Sequence, residues 1–251
     1  MKILAIHAHP DDCEILAGGT LALLAMQGHD ITIATMTAGD CGSATLPPAT
    51  IADRRRREAE SAAALIGAAY LWAGFRDLAI FSTDESRRRV CATLRRLRPE
   101  IVITASPADY MCDHEATSAL VLDACFAASA PNYDTSAWGT DPPLEAIPHL
   151  YFMDPIGGAT REGAPVRPDF TVDVSRVFAR KREMLACHAS QREWLRKQHG
   201  IDEYLEMMER WTREIGHRAG LEMGEGFRQY RGHPYPSSPL LQKLLSGLLF
   251  P

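Results

Sequence analysis

The stretch KILAIHAHPDDCEILAGGTLALLAMQGHDITIATMT, residues 2–37, sets the fold class. KILAI (2–6) is a short apolar run that suits a buried strand. From about Asp12 to Gln27 apolar residues recur at helical spacing and stop at Gly28. DITIATMT (30–37) is β-branched and strand-like. The alternation continues outward. A helix is expected over 53–66, ending at Gly67, then a strand over 69–74. An amphipathic, arginine-rich helix over 83–98 is closed by Pro99, followed by a strand over 100–105 and a helix over 113–129. Repeated strand–helix units predict an α/β chain with a mainly parallel sheet flanked by helices on both faces.

Beyond residue 130 the pattern loosens. Residues 131–148 are turn-rich and read as a long loop. Strands are expected over 149–153 and 169–174, and helices over 176–188 and 201–219. The tail from Gly220 is punctuated by Gly, Pro and Ser until LLQKLLSGLLF, which would pack back on the domain or make a homo-oligomer contact. No repeat or boundary divides the chain, so residues 1–251 are read as a single domain with a helical and loop C-terminal extension.

The formal net charge is −5, which argues against a nucleic-acid or anionic-membrane partner. No run approaches the roughly 20 apolar residues of a membrane span, and the apolar run of MKILAIHAH is too short for a secretory leader. A cytoplasmic location and a small-molecule partner are therefore expected. The six cysteines are scattered without a CxxC pair and read as reduced thiols. Gly18 and Gly19 carry no phosphate-loop motif around them.

Ligands of open parallel sheets bind beyond the carboxyl ends of the strands. HAHPDD follows the first strand and SPADYMCDHE (106–115) follows the fourth, so two loops rich in His and Asp meet at one edge. Two His and one carboxylate with an open position are a common zinc-hydrolase set, which His9, Asp12 and His114 would supply. Asp11 would then take a proton from water, and Asp113 would orient a ligand or a catalytic partner. The competing reading is that Asp12 merely caps the following helix.

AHPDDCEILAGGTLALL (8–24) resembles the signature of the LmbE-like, or PIG-L, family of zinc-dependent de-N-acetylases. The likeness continues through TAGDCG (37–42), RRREAESAAALIGA (55–68), DVSRVFARKREMLACHASQ (173–191) and GEGFR (224–228). The resemblance implies a Rossmann-like sheet. It also implies removal of an acetyl or related acyl group from an N-acylated amino sugar such as an N-acetylglucosamine conjugate. Zn2+ would be held by His9, Asp12 and His114, with Asp11 as general base on the attacking water. Zinc is not the sole metal such ligands accept.

One position departs from the family pattern. Where its second motif carries a histidine that helps polarise the carbonyl, this chain has Met111, in a DYMxDHE version of the motif. His188 is the first candidate to replace that histidine, Tyr110 the second, and His217 or His233 the third. Arg55 and Asp40 are candidate substrate contacts, while the arginines at 87–89, 95, 96 and 98 are expected to face solvent. Met207, Met208, Trp211 and Ile215 read as core or a subunit contact. A non-catalytic metal- or ligand-binding protein on the same fold is the alternative function. A dinucleotide-dependent oxidoreductase is disfavoured, because HPDD puts carboxylates where a phosphate needs backbone amides.

Overall fold

The computed structural model describes residues 1–199 and 203–250. Its central strand β1 (Lys2–His7) lies between β2 (Asp30–Thr37) and β4 (Ile101–Thr104), with β3 (Ala69–Phe75) outside β2 and β5 (His149–Met153) outside β4. These five strands are parallel. Beyond β5 the sheet continues antiparallel through β7 (Gly224–Gln229), β6 (Phe170–Asp173) and the short β8 (Leu249–Phe250).

Side-chain alternation along β1 divides the core. Ile3 and Ala5 face a layer built with α1 (Asp12–Met26), α5 (Phe178–Ala186) and α7 (Tyr204–Arg218). Leu4 and Ile6 face the opposite layer, built with α3 (Asp84–Leu97) and α4 (Cys112–Ala127). Burial on both faces explains why the parallel strands read as unbroken apolar runs. The remaining helices are α2 (Pro48–Ala64), α6 (Ala189–His199) and α8 (Leu240–Leu244). Among the described residues no helix is long and apolar enough to cross a membrane.

The chain departs from expectation mainly in its C-terminal third. The helix expected over 176–188 is a 3-10 turn, Ser175–Val177, leading into α5, and α6 follows separately. The helix expected over 201–219 is α7; residues 201 and 202 lie outside the described residues. Strand β7 falls inside the tail that looked irregular. Its sequence GEGFRQ lacks the β-branched run of a typical strand, and partners distant in sequence stabilise its buried Glu225. Glu225 accepts hydrogen bonds from Lys181 Nζ at 2.7 Å, Gly19 N at 2.8 Å and Thr20 N at 2.7 Å. That contact explains the glycine pair in α1, since a Cβ on Gly19 would stand 2.6 Å from Val174 Cβ.

Two further expectations are resolved. The C-terminal run packs back on the domain, with Leu241 and Leu245 fully buried and Leu241 N donating to the Tyr151 hydroxyl. Arg95 does not face solvent. It is buried and donates to the carbonyls of Ala128 and Ala130 and to Thr135 Oγ1, tying α3 to the loop after α4.

Candidate active site

The parallel register places the ends of β1 and β4 side by side, so the HPDD turn and the loop before α4 meet. The turn is strained at Asp11, whose φ of 103° and ψ of −27° lie in the left-handed region that few non-glycine residues adopt. Asp12 is the first residue of α1, and neither aspartate caps the helix through its side chain. Instead, Asp12 Oδ2 accepts from His9 N at 2.7 Å and lies among three imidazole nitrogens. His7 Nδ1 is 2.7 Å away, His9 Nδ1 3.3 Å and His114 Nε2 3.4 Å.

Carboxylates stand behind two of these rings. His114 Nδ1 is 3.0 Å from the buried Asp109 Oδ1, and His9 Nε2 is 3.3 Å from Asp113 Oδ2. Asp113 Oδ2 also accepts from Leu78 N at 2.7 Å. Such outer carboxylates orient the imidazoles of metal sites. His7 Nε2 is buried without a hydrogen-bond partner, and the buried ring nitrogens of His114 have only the carboxylate approaches of Asp109 and Asp12. Imidazole nitrogens grouped around one carboxylate oxygen suit a divalent cation. Within this set, His7, Asp12 and His114 bring one ligand atom each within 4.8 Å of one another.

The electrostatics separate the two aspartates. Burial works to raise Asp12, but His7, His114 and His9 overcome it and hold the carboxyl well below its ordinary range. Burial raises Asp11, against the opposing pull of Arg55. Burial opposes charge on His9, yet Asp113 and Asp12 outweigh it and bring its pKa to about 10. Burial dominates at His7 and lowers it.

Asp11 is held by a different set of groups. Tyr204 Oη donates to its Oδ2 at 2.6 Å, and Arg55 Nη2 stands 3.4 Å from the same oxygen. Arg55 Nη2 also donates to Pro10 O at 2.7 Å. Arg55 is therefore buried and engaged with the HPDD turn, although it also lines a cavity that opens beside these residues.

That cavity, of about 610 Å³, is lined by His9, Asp11, Asp12, His114, Tyr110 and Met111 among others. His188 is not among them. It is fully buried with Nε2 3.4 Å from Glu14 Oε1, so the expectation that it replaces the missing histidine at the carbonyl is not met. His217 and His233 lie on exposed surface outside the cavity. Asp40 is also outside it and accepts from Asp77 N at 2.8 Å. Tyr110 lines the cavity, and its ring meets His114 edge-on at 5.4 Å.

Sequence reading missed His7, Asp109 and Tyr204. His7 and His9 alternate at the end of a strand, a pattern that signals His7 only if the turn then folds back. Asp109 sits five residues before His114, a spacing with no helical or strand meaning until the loop is built.

The GlcNAc-PI de-N-acetylase (PIG-L) family model matches residues 4–125, from β1 through α4, and so takes in both loops of the site. A diacetylchitobiose deacetylase from Thermococcus kodakarensis is 29% identical over 199 residues, covering 76% of this chain and 70% of that protein. A 4-oxalmesaconate hydratase from Pseudomonas putida is 28% identical over 196 residues, covering 75% of this chain and 73% of that protein. The structure of the N,N'-diacetylchitobiose deacetylase from Pyrococcus horikoshii is similar with a TM-score of 0.77 at 25% identity, covering 95% of this chain and 88% of that one. The matched region spans both motif-bearing loops, so over residues 4–125 the chain is similar to the PIG-L, or LmbE-like, family.

Proposed function

We propose that this chain is a metal-dependent hydrolase that removes an acetyl or related acyl group from an N-acylated amino sugar or similar conjugate. The observation that carries this reading is the division of the aspartate pair. Asp12 is surrounded by imidazole nitrogens, while Asp11 is held by Tyr204 and Arg55. His9, Asp12 and His114 all line the cavity and would hold Zn2+ or another divalent ion, with His7, which does not line it, buttressing Asp12. A divalent ion held there makes water easier to deprotonate and polarises an acyl oxygen.

Asp11 takes the proton from the attacking water and delivers it to the departing amine. Its two contacts both fall on Oδ2, so Oδ1 is the oxygen that remains to exchange a proton. Asp113 positions His9. Met111 cannot donate a hydrogen bond, whereas partial desolvation of the half-exposed Tyr110 and the nearby Asp12, Asp109 and Asp11 raise its phenol, which stays protonated as a donor to the developing oxyanion must be.

The test measures amine release from a panel of N-acetylated glucosamine conjugates with metal-stripped protein, zinc-restored protein and Asp11→Asn. Metal-dependent release that Asp11→Asn abolishes is expected. The hydratase relative names the competing chemistry. Hydration of 4-oxalmesaconate, with no amine released from any conjugate, would overturn the hydrolase reading.

A further inference from the structure

Several polar side chains of the cavity are engaged within the protein, while Arg55 Nε and Asp77 Oδ1 lack partners. Arg55 and Tyr204 contact Asp11, Gln191 Nε2 donates to Gly42 O at 3.0 Å, and Asp77 Oδ2 accepts from Cys41 N at 2.9 Å. A polyol needs several uncommitted donors and acceptors at close range. This cavity instead offers an apolar wall of Ile156, Trp194, Leu195 and Met207. Trp194 also borders a neighbouring cavity of about 550 Å³ that includes Leu46 and Ile51.

The mouth repeats the theme. Leu78 and Tyr110, which also line the cavity, are 59% and 55% exposed. Leu78 has a φ of 59°, in the left-handed region a leucine rarely adopts, and its N–H is fastened to Asp113. The strained turn thus anchors an apolar side chain at the mouth, one contact away from the carboxylate that positions His9.

We infer that the substrate carries an aryl or medium-length alkyl group, and that this group seats against Leu78, Tyr110, Ile156, Trp194, Leu195 and Met207. The inference deepens the hydrolase reading and rests on it for the amide. The apolar group stands either on the amine side or in the acyl chain, and the probes separate the two.

Calorimetry with the zinc-restored full chain compares octyl 2-acetamido-2-deoxy-β-glucoside, N-octanoylglucosamine and N,N'-diacetylchitobiose. At least one octyl compound is expected to bind about tenfold or more tighter than the disaccharide. Whichever does so identifies the side that carries the apolar group. Trp194→Ala and Leu78→Gly should each bring that ratio toward one. The Leu78→Gly variant suits the positive φ, so its folding is not in question. Equal or tighter binding of the disaccharide, or a ratio unmoved in both variants, would overturn the inference. Amine release without apolar preference sinks this inference and leaves the hydrolase reading standing. Apolar preference with no amine released from any compound does the reverse.

Discussion

Helix α1 touches two buried charge clusters, and they are built on opposite principles. At its first turn, three imidazoles crowd one oxygen of Asp12, His7 Nε2 lacks a hydrogen-bond partner, and Asp11 holds a left-handed backbone. At its middle, Glu225 is satisfied by an ammonium and two backbone amides. Unsatisfied buried groups cost stability and persist where something else is to be bound. Satisfied ones contribute fastening: Glu225 joins β7, α5 and α1 across more than 200 residues of sequence.

The sharpest test of this contrast is Asp11→Asn. It is expected to lower kcat by about 10²–10⁴-fold with metal content by atomic absorption unchanged. Loss of the metal with the activity would mean that the two aspartates do not divide the work. In the second cluster, Lys181→Met leaves Glu225 as an unpaired buried charge and should cost about 3–5 kcal/mol in urea unfolding. Lys181→Met combined with Glu225→Gln should cost less than the single change. An equal or greater loss would show that the amide contacts matter more than the ion pair.

Asp154, at the carboxyl end of β5, asks whether an incompletely satisfied carboxylate outside the site behaves like the first cluster. It is 3% exposed, its Oδ1 lacks a partner, and burial raises its pKa to about 7, against the pull of Arg228. The folded state therefore binds the proton more tightly than the unfolded chain. The stability this brings is complete below pH ~4 and is lost as pH rises through about 7. Relative to Asp154→Asn, the native protein should lose roughly 2–4 kcal/mol between pH 4 and pH 8, read from melting curves. A flat difference would break the parallel. The smallest effect is expected from Tyr204→Phe, which removes one hydrogen bond from Asp11. It should lower kcat roughly tenfold with melting temperature and metal content nearly unchanged.

The parallel half of the sheet was legible because short apolar strand runs alternate with longer helical segments, several of which stop at a Gly or Pro. Strand β7 was not, because its stability comes from Lys181 and the α1 amides instead of its own apolar pattern. Arg95 read as surface for the same reason: its partners are loop carbonyls more than 30 residues away. His188 looked available because a sequence does not say which side of a buried layer a histidine occupies.

What the sequence determined by itself was the βαβ frame and, with it, the edge where HPDD and the loop before His114 must meet. Strand direction follows from the strand–helix alternation, and strand direction decides which turns share an edge. Tertiary structure alone decided that His7 turns onto Asp12, that Asp109 backs His114, and that Tyr204, 193 residues along the chain, holds Asp11. It also placed His188 beside Glu14 and outside the cavity. Those assignments depend on which distant side chains packing brings within about 3 Å, a distance that no local pattern encodes.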